Sequence, residues 1–180
     1  MTETEYEGKK ILIVIAQEQF RDEECFVPKK IFEAAGVKVT VAAEAKKTAK
    51  GMLGGTIKPD IKISDARVDD YDAIVITGGS GSRKYLWDNK ALQKLLKEAD
   101  AQKRVISAIC ISPVVLARTG ILKGKESTVF KSPDTVSELK EHGAIYLDRE
   151  VVVSGRVVTG RDPASAEAFG KAVLEALKKA

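Results

Sequence analysis

Three short segments of this 180-residue chain carry almost nothing but apolar side chains: Lys10–Ala16 (KILIVIA), Ala73–Thr77 (AIVIT) and Val105–Ile109 (VISAI). A strand wetted on one face alternates apolar and polar residues, whereas an unbroken run rich in β-branched residues suits a strand buried on both faces. Parallel neighbours of that kind need a crossover of a dozen or more residues, usually a helix. The stretches between the three runs are long enough for one. Strand, helix, strand, helix at these lengths predicts an α/β fold with a parallel sheet covered on both sides.

The punctuation between the runs agrees with that layout. After Ala16 comes the polar run Gln17–Glu24, in which Asp22 is placed as the N-cap of a helix carrying Cys25, Phe26, Ile31, Phe32 and Ala35, with Pro28 in its early turns and Gly36 at its end. Val37–Ala43 reads as the next strand. Ala45–Asp60, with Gly51, Gly54 and Gly55, reads as a turn-rich excursion holding a small hairpin, and Ile61–Ile63 as a short strand. Leu92, Leu95, Leu96 and Ala99 mark one face of a helix capped by Asp88. Pro113 opens the helix after Val105–Ile109, where its missing N–H costs nothing, and Gly120 ends it. A short strand at Ser127–Phe130, a helix from Ser132 to His142, strands at Ala144–Leu147, Val151–Ser154 and Arg156–Thr159, and a helix over Pro163–Lys178 complete a single domain over 1–180. Residues 1–8 are expected to be a disordered N-terminal segment.

Composition narrows the functional classes. Hydrophobic residues at 44% and charged residues at 31% describe a soluble globular protein, and a net charge of +4 with aromatics at 6%, not interleaved with basic clusters, argues against nucleic-acid partners. No apolar run approaches the roughly 20 residues of a membrane span. The acidic, polar N-terminus is unlike a signal peptide, so a cytoplasmic location without a membrane partner is expected. Cys25 and Cys110 are far apart, and neither CxxC nor HExxH spacing occurs, which predicts neither a disulfide framework nor a metal site.

In a doubly wound sheet, ligands bind beyond the carboxyl ends of the strands. Three such ends converge here: Ala16 with its acidic run, Thr77 with Gly78-Gly79, and Ile109 with Cys110. Cys110 falls at a strand-to-helix seam, a position that lowers a thiol pKa and makes a nucleophile of it. Gly78 and Gly79 permit backbone N–H groups to face a substrate oxygen, and the N–H of Ile111 adds a further oxyanion donor. Gly78–Ser82 fits neither GxGxxG nor Walker A, so no nucleotide is expected. The acidic run supplies a carboxyl that can share a proton with a thiolate. Spacing leaves Asp22, Glu23 and Glu24 open for that part. Arg161 and Asp162 follow another strand end and are candidates for the same crevice.

Taken in order, Glu24 four residues before Pro28, Ala35-Gly36-Val37, Thr77-Gly78-Gly79, Ala108-Ile109-Cys110 and Thr159-Gly160-Arg161-Asp162-Pro163 resemble the PfpI family of the DJ-1/PfpI superfamily, from about Lys9 to Lys178. The resemblance implies a flavodoxin-like sandwich with a mostly parallel sheet, similar to class I glutamine amidotransferases, and a homodimer or larger homo-oligomer. It places the family's nucleophile-elbow cysteine on Cys110, its protonated glutamate on Glu24 and its oxyanion donors on Gly79 and Ile111, with Gly78 adjoining.

The departures are equally informative. The residue after the cysteine, histidine in the PfpI peptidases, is Ile111, which can neither donate nor accept a side-chain proton. Where deglycase-like members often keep a histidine, this chain has Phe130, Lys131 and Ser132, and its single histidine, His142, falls at a helix end before Gly143. The resemblance therefore implies cofactor-free glyoxalase III or deglycase-like chemistry on a small carbonyl substrate such as methylglyoxal. A redox-sensing or chaperone-like stress protein acting through Cys110 is the alternative, and an intracellular cysteine peptidase comes third. Cys25 is expected to be a small core hydrophobe.

Overall fold

The computed structural model describes residues 3–180. Its first half contains β1 (Lys10–Val14), β2 (Glu18–Phe20), α1 (Asp22–Ala34), β3 (Lys38–Ala43), β4 (Ala49–Gly51), β5 (Thr56–Ile57), β6 (Ile61–Lys62), β7 (Ala73–Ile76) and α2 (Ser82–Tyr85). The second half adds α3 (Lys90–Ala101), β8 (Val105–Ile109), α4 (Pro113–Arg118), β9 (Glu126–Ser127), α5 (Pro133–Glu141), β10 (Ile145–Tyr146), β11 (Val151–Ser154), β12 (Val157–Gly160) and α6 (Ala166–Lys179). Seven strands form one sheet in the order β11-β12-β8-β7-β1-β3-β6, and every neighbouring pair is parallel except β11 with β12.

The apolar runs become the middle of that sheet. Leu12 stands beside Ile74, Ile74 beside Ile106, and Ile106 beside Val157, all of them buried. Each such side chain contributes roughly 1.5–3 kcal/mol on removal from water. Helices α3 and α6 both pack on β8, whose five residues are all buried. On one side α6 also packs on α1, and the contact is close because Gly170 has no side chain: a Cβ there would lie 3.1 Å from Ile31 Cδ1 and 3.3 Å from Pro28 Cα. With the chain wound this way, the carboxyl ends of β1, β7 and β8 lie side by side.

Several local expectations are corrected. Asp22 is the first helical residue of α1 and not its cap; the cap position is Arg21. The Asp22 carboxyl instead accepts the N–H groups of Leu53 at 2.8 Å and Gly55 at 2.7 Å, and a small hairpin competes successfully for its oxygens. Asn89 caps α3 in place of Asp88, accepting the Leu92 N–H at 2.9 Å, because it is the residue with extended backbone next to the first turn. The polar stretch after β1 includes β2, which joins the β4–β5 hairpin in a three-stranded sheet. Ser127–Phe130 is a strand only at Glu126–Ser127, since Thr128 and Phe130 turn their N–H groups to Thr159 Oγ1 and the Cys110 carbonyl.

The expected disorder over residues 1–8 does not extend to Tyr6. That residue is buried and its hydroxyl donates to the Leu174 carbonyl at 3.1 Å, anchoring the segment to α6. Met1 and Thr2 lie outside the described residues. Among the described residues no helix is long and apolar enough to cross a membrane, and no group of three or more His, Cys, Asp or Glu is placed to hold a metal ion.

Candidate active site

The chain turns sharply at the end of β8. Cys110 has φ 66°, in the left-handed region that costs an L-residue about 1–2 kcal/mol. The turn is fixed from several directions: the Cys110 N–H donates to the Gly160 carbonyl at 3.0 Å, its carbonyl accepts the Phe130 N–H at 2.7 Å, and the Ser112 N–H returns to the Ile109 carbonyl at 3.2 Å. Strain held by this many contacts at a strand end marks a site where the side chain must be aimed. Cys110 is buried to all but 8% of its surface.

Glu24, in the first turn of α1, is fully buried. Its Oε1 accepts the Gly78 N–H at 2.9 Å. Its Oε2 is buried without a hydrogen-bond partner, and the Cys110 thiol is the side chain beside it that influences its titration. Burial raises the Glu24 pKa to about 8, against a smaller opposing effect of the Gly78 N–H. At neutral pH the acid therefore carries its proton and has an O–H to offer the sulfur. Burial also pushes the Cys110 thiol up, and an ionised Glu24 adds to that, while the backbone N–H groups of Gly79 and Ile111 pull it down. The lowering expected from the helix seam alone is thus corrected: α4 begins only at Pro113, and burial outweighs it. With the proton on Glu24 the repulsion between the two groups becomes a hydrogen bond, so thiol and carboxyl titrate as one pair with one negative charge to place.

The glycine pair is required by space. A Cβ on Gly78 would lie 2.5 Å from Cys110 Cβ, 2.6 Å from Glu24 Oε1 and 2.9 Å from the Ile109 carbonyl oxygen. Gly79 has φ 101°, and a Cβ there would strike the backbone of Gln19 and Arg21. The loop is also tied to the acidic run, since the Arg21 N–H donates to the Gly78 carbonyl at 3.0 Å. The five sequence-predicted residues, Cys110, Glu24, Gly78, Gly79 and Ile111, are thereby brought to one place.

The other acids of the run take different parts. Glu23 forms a two-pronged pair with Arg21 at 2.9 and 3.0 Å, and Asp22 anchors the hairpin. Arg161 and Asp162 bond to each other at 2.9 Å, and Asp162 accepts the Ser165 N–H at 3.1 Å, so both organise the entry to α6. His142 is the C-cap of α5, with Nδ1 2.8 Å from the Glu138 carbonyl oxygen. Cys25 is buried and its thiol is pushed up to about 12, which makes it inert.

Some participants had no signal in the sequence. Ser112 Oγ donates to the Thr77 carbonyl at 2.5 Å and lies 2.8 Å from Ser82 Oγ, joining the elbow to the glycine loop. Trp87 donates its indole N–H to the Ile111 carbonyl at 3.0 Å. On the outer rim, Ser80 bonds Gln19 Oε1 through its hydroxyl at 2.5 Å and Met52 Sδ through its N–H at 3.3 Å. A single serine or tryptophan between strands carries no spacing from which these partners could be read. A surface cavity of about 820 Å³ includes Lys103, Val153 and Arg156 and lies at the amino ends of β8 and β12, away from Cys110.

The sequence matches the DJ-1/PfpI family over residues 9–176. The chain belongs to this family. Among its DJ-1/PfpI relatives, an uncharacterized protein of Methanocaldococcus jannaschii, MJ0967, is 52% identical over 170 residues, covering 94% of this chain and 83% of that protein. The glutathione-independent glyoxalase DJR-1.2 of Caenorhabditis elegans is 31% identical, over 94% of this chain and 89% of its own length. Of solved structures, the ThiJ/PfpI domain protein of Brachyspira murdochii superposes with a TM-score of 0.91 at 34% identity, covering 96% of this chain and 99% of that one. The DJ-1/PfpI fold expected from the sequence is therefore the fold of this chain.

Proposed function

We propose that this protein is a cofactor-free enzyme that converts small dicarbonyls such as methylglyoxal to hydroxy acids. The observation that carries the reading is the fully buried Glu24 carboxyl beside Cys110, its Oε1 held by the Gly78 N–H and its Oε2 without a partner, with no histidine beside them. The glyoxalase name of the Caenorhabditis elegans relative supports it.

In this reading Cys110 first gives its thiol proton to solvent, and the thiolate sulfur adds to the aldehyde carbon of methylglyoxal. The C–S bond forms as the carbonyl π pair moves to oxygen, where the Gly79 and Ile111 N–H groups receive it. Glu24 gives its proton to that oxygen and becomes the base. It then removes the hydrogen from the former aldehyde carbon and returns a proton to the neighbouring carbon, while the hydroxyl proton passes to the neighbouring carbonyl oxygen, leaving a lactyl thioester on Cys110; Glu24 regains its proton from solvent at the end of the cycle. Water cleaves the thioester to lactate and restores the thiol, so methylglyoxal and one water become lactic acid with no net oxidation.

The test is lactate formation from methylglyoxal by the wild type, Cys110→Ser and Glu24→Gln. The expected result is loss in both variants; equal activity in all three refutes the mechanism. A second reading, oxidation of Cys110 to a sulfinic acid that accepts the Glu24 proton, is supported by the same partnerless Oε2. Intact mass after mild peroxide, with two oxygens added in the wild type and none in Cys110→Ala, tests it.

A further inference from the structure

The Ile111 peptide has two ends, and both are engaged. Its N–H follows the Cys110 side chain directly and acts to lower the pKa of that thiol. Its carbonyl accepts the indole N–H of Trp87 at 3.0 Å. The indole is in turn constrained: the guanidinium carbons of Arg83 and Arg118 lie 4.5 and 5.0 Å from its ring centroid. Those arginines are not free to wander. Arg83 pairs with Asp134, and Arg118 is gripped by Glu138 at 2.6 and 3.1 Å and by Asp88 at 2.8 Å. Asp134 and Glu138 are four residues apart on α5, one turn of helix. A chain of contacts thus runs from α5 through two cations and one aromatic ring to the peptide that follows the nucleophile. Trp87 is 7% exposed, so its N–H has a partner only because it reaches this carbonyl.

We propose that Trp87 is a positioning residue for the Cys110 elbow, its indole N–H holding the Ile111 carbonyl so that the Ile111 N–H stays aimed at the sulfur and at the oxyanion formed beside it. Arg83 and Arg118, braced by α5, hold the indole. The catalytic part of the inference rests on the dicarbonyl reading; the effect on the thiol does not. Because Trp87 is the only tryptophan of the chain, its emission reports directly on the elbow.

The experiment uses Trp87→Phe, which keeps an aromatic ring and removes the N–H, and Arg118→Met, which keeps the indole and removes one brace, both in a Cys25→Ala background. The rate of Cys110 alkylation by iodoacetamide is followed against pH. In Trp87→Phe the midpoint is expected to rise by about one pH unit, the effect of losing one well-placed donor to a thiolate. Arg118→Met is expected to move it in the same direction by less. In the Trp87-containing background protein, alkylation is expected to change the tryptophan emission, and the same reagent leaves the emission of Cys110→Ala unchanged.

A merely structural tryptophan would lower the melting temperature of Trp87→Phe and leave the alkylation profile in place, and that result overturns the proposal. If Trp87→Phe does not fold, an unaltered profile in Arg118→Met together with unaltered emission on alkylation overturns it equally. A shifted profile in a protein that forms no lactate upholds the positioning and removes the dicarbonyl reading instead.

Discussion

Glu24→Gln tests the electrostatics of the site independently of any substrate. In the unfolded chain the Glu24 carboxyl loses its proton near 4.5, its ordinary value, whereas burial in the native state holds the proton until about 8. Between those values the native state binds more protons than the unfolded state, so stability falls as pH rises. The contribution is fully present below about 4.5 and is lost as pH climbs through about 8. Integrating from pH 5 to pH 8 with these two values gives a loss of about 3.5 kcal/mol. Glutamine keeps the oxygen that accepts the Gly78 N–H and cannot ionise, so this contribution vanishes from the variant. The measurement is urea denaturation of wild type and variant at pH 5, 6, 7 and 8, with the variant's pH dependence subtracted to remove the titrating groups other than the Glu24–Cys110 pair. A residual slope amounting to about 3.5 kcal/mol in the wild type is expected. Parallel curves, differing by less than about 0.5 kcal/mol across the range, would show that Glu24 is ionised in the native protein and refute the reasoning.

Two further predictions concern the frame around the pair. Gly78→Ala places a methyl 2.5 Å from Cys110 Cβ and 2.6 Å from Glu24 Oε1, an overpacking worth about 1–3 kcal/mol; a melting temperature lowered by about 3–10 °C is expected, with alkylation of Cys110 slowed, and a thermal melt checks it. Asp22→Ala leaves the Leu53 and Gly55 N–H groups without their acceptor, at about 1–3 kcal/mol; limited proteolysis is expected to cut the 51–55 segment faster, with lactate formation unchanged within about twofold, because Asp22 faces the hairpin and not Cys110.

The sheet was legible because burial on both faces leaves a one-dimensional record: nothing polar interrupts Ile11–Ala16, Ala73–Ile76 or Val105–Ile106, and such runs have few other uses. Gly78 and Gly79 were legible for a related reason, since two glycines at a strand end answer to a close approach. The acidic run was not. Asp22, Glu23 and Glu24 are consecutive carboxylic acids in one helical turn, and what separates them is direction: Asp22 toward the hairpin, Glu23 toward Arg21, Glu24 into the core. A helix turns about 100° per residue, but spacing alone cannot give its rotation against the sheet before its packing is known; resemblance to a family supplied that. The capping of α3 failed for a smaller reason of the same type. Asp88 and Asn89 are both good caps, and the choice depends on which has extended backbone. Trp87 was illegible because its role passes through a main-chain carbonyl, for which no residue type at Ile111 is diagnostic.

The missing histidine changes what the remaining groups must do. A cysteine beside a histidine can pass its proton to the ring and wait as a thiolate. Here the residue after Cys110 is a buried isoleucine, and among the described residues the carboxyl beside the sulfur is that of Glu24. The same apolar burial that withholds a base also keeps Glu24 protonated, because desolvation is the largest influence on it. An acid that enters the reaction protonated and leaves its first step as a carboxylate suits a substrate whose own C–H must be moved, since each change of state prepares the next. Amide cleavage, in which the leaving amine must be protonated, has no C–H step for that carboxylate to perform. In the proposed reading the site is therefore matched to a dicarbonyl, whose C–H must move, better than to a peptide.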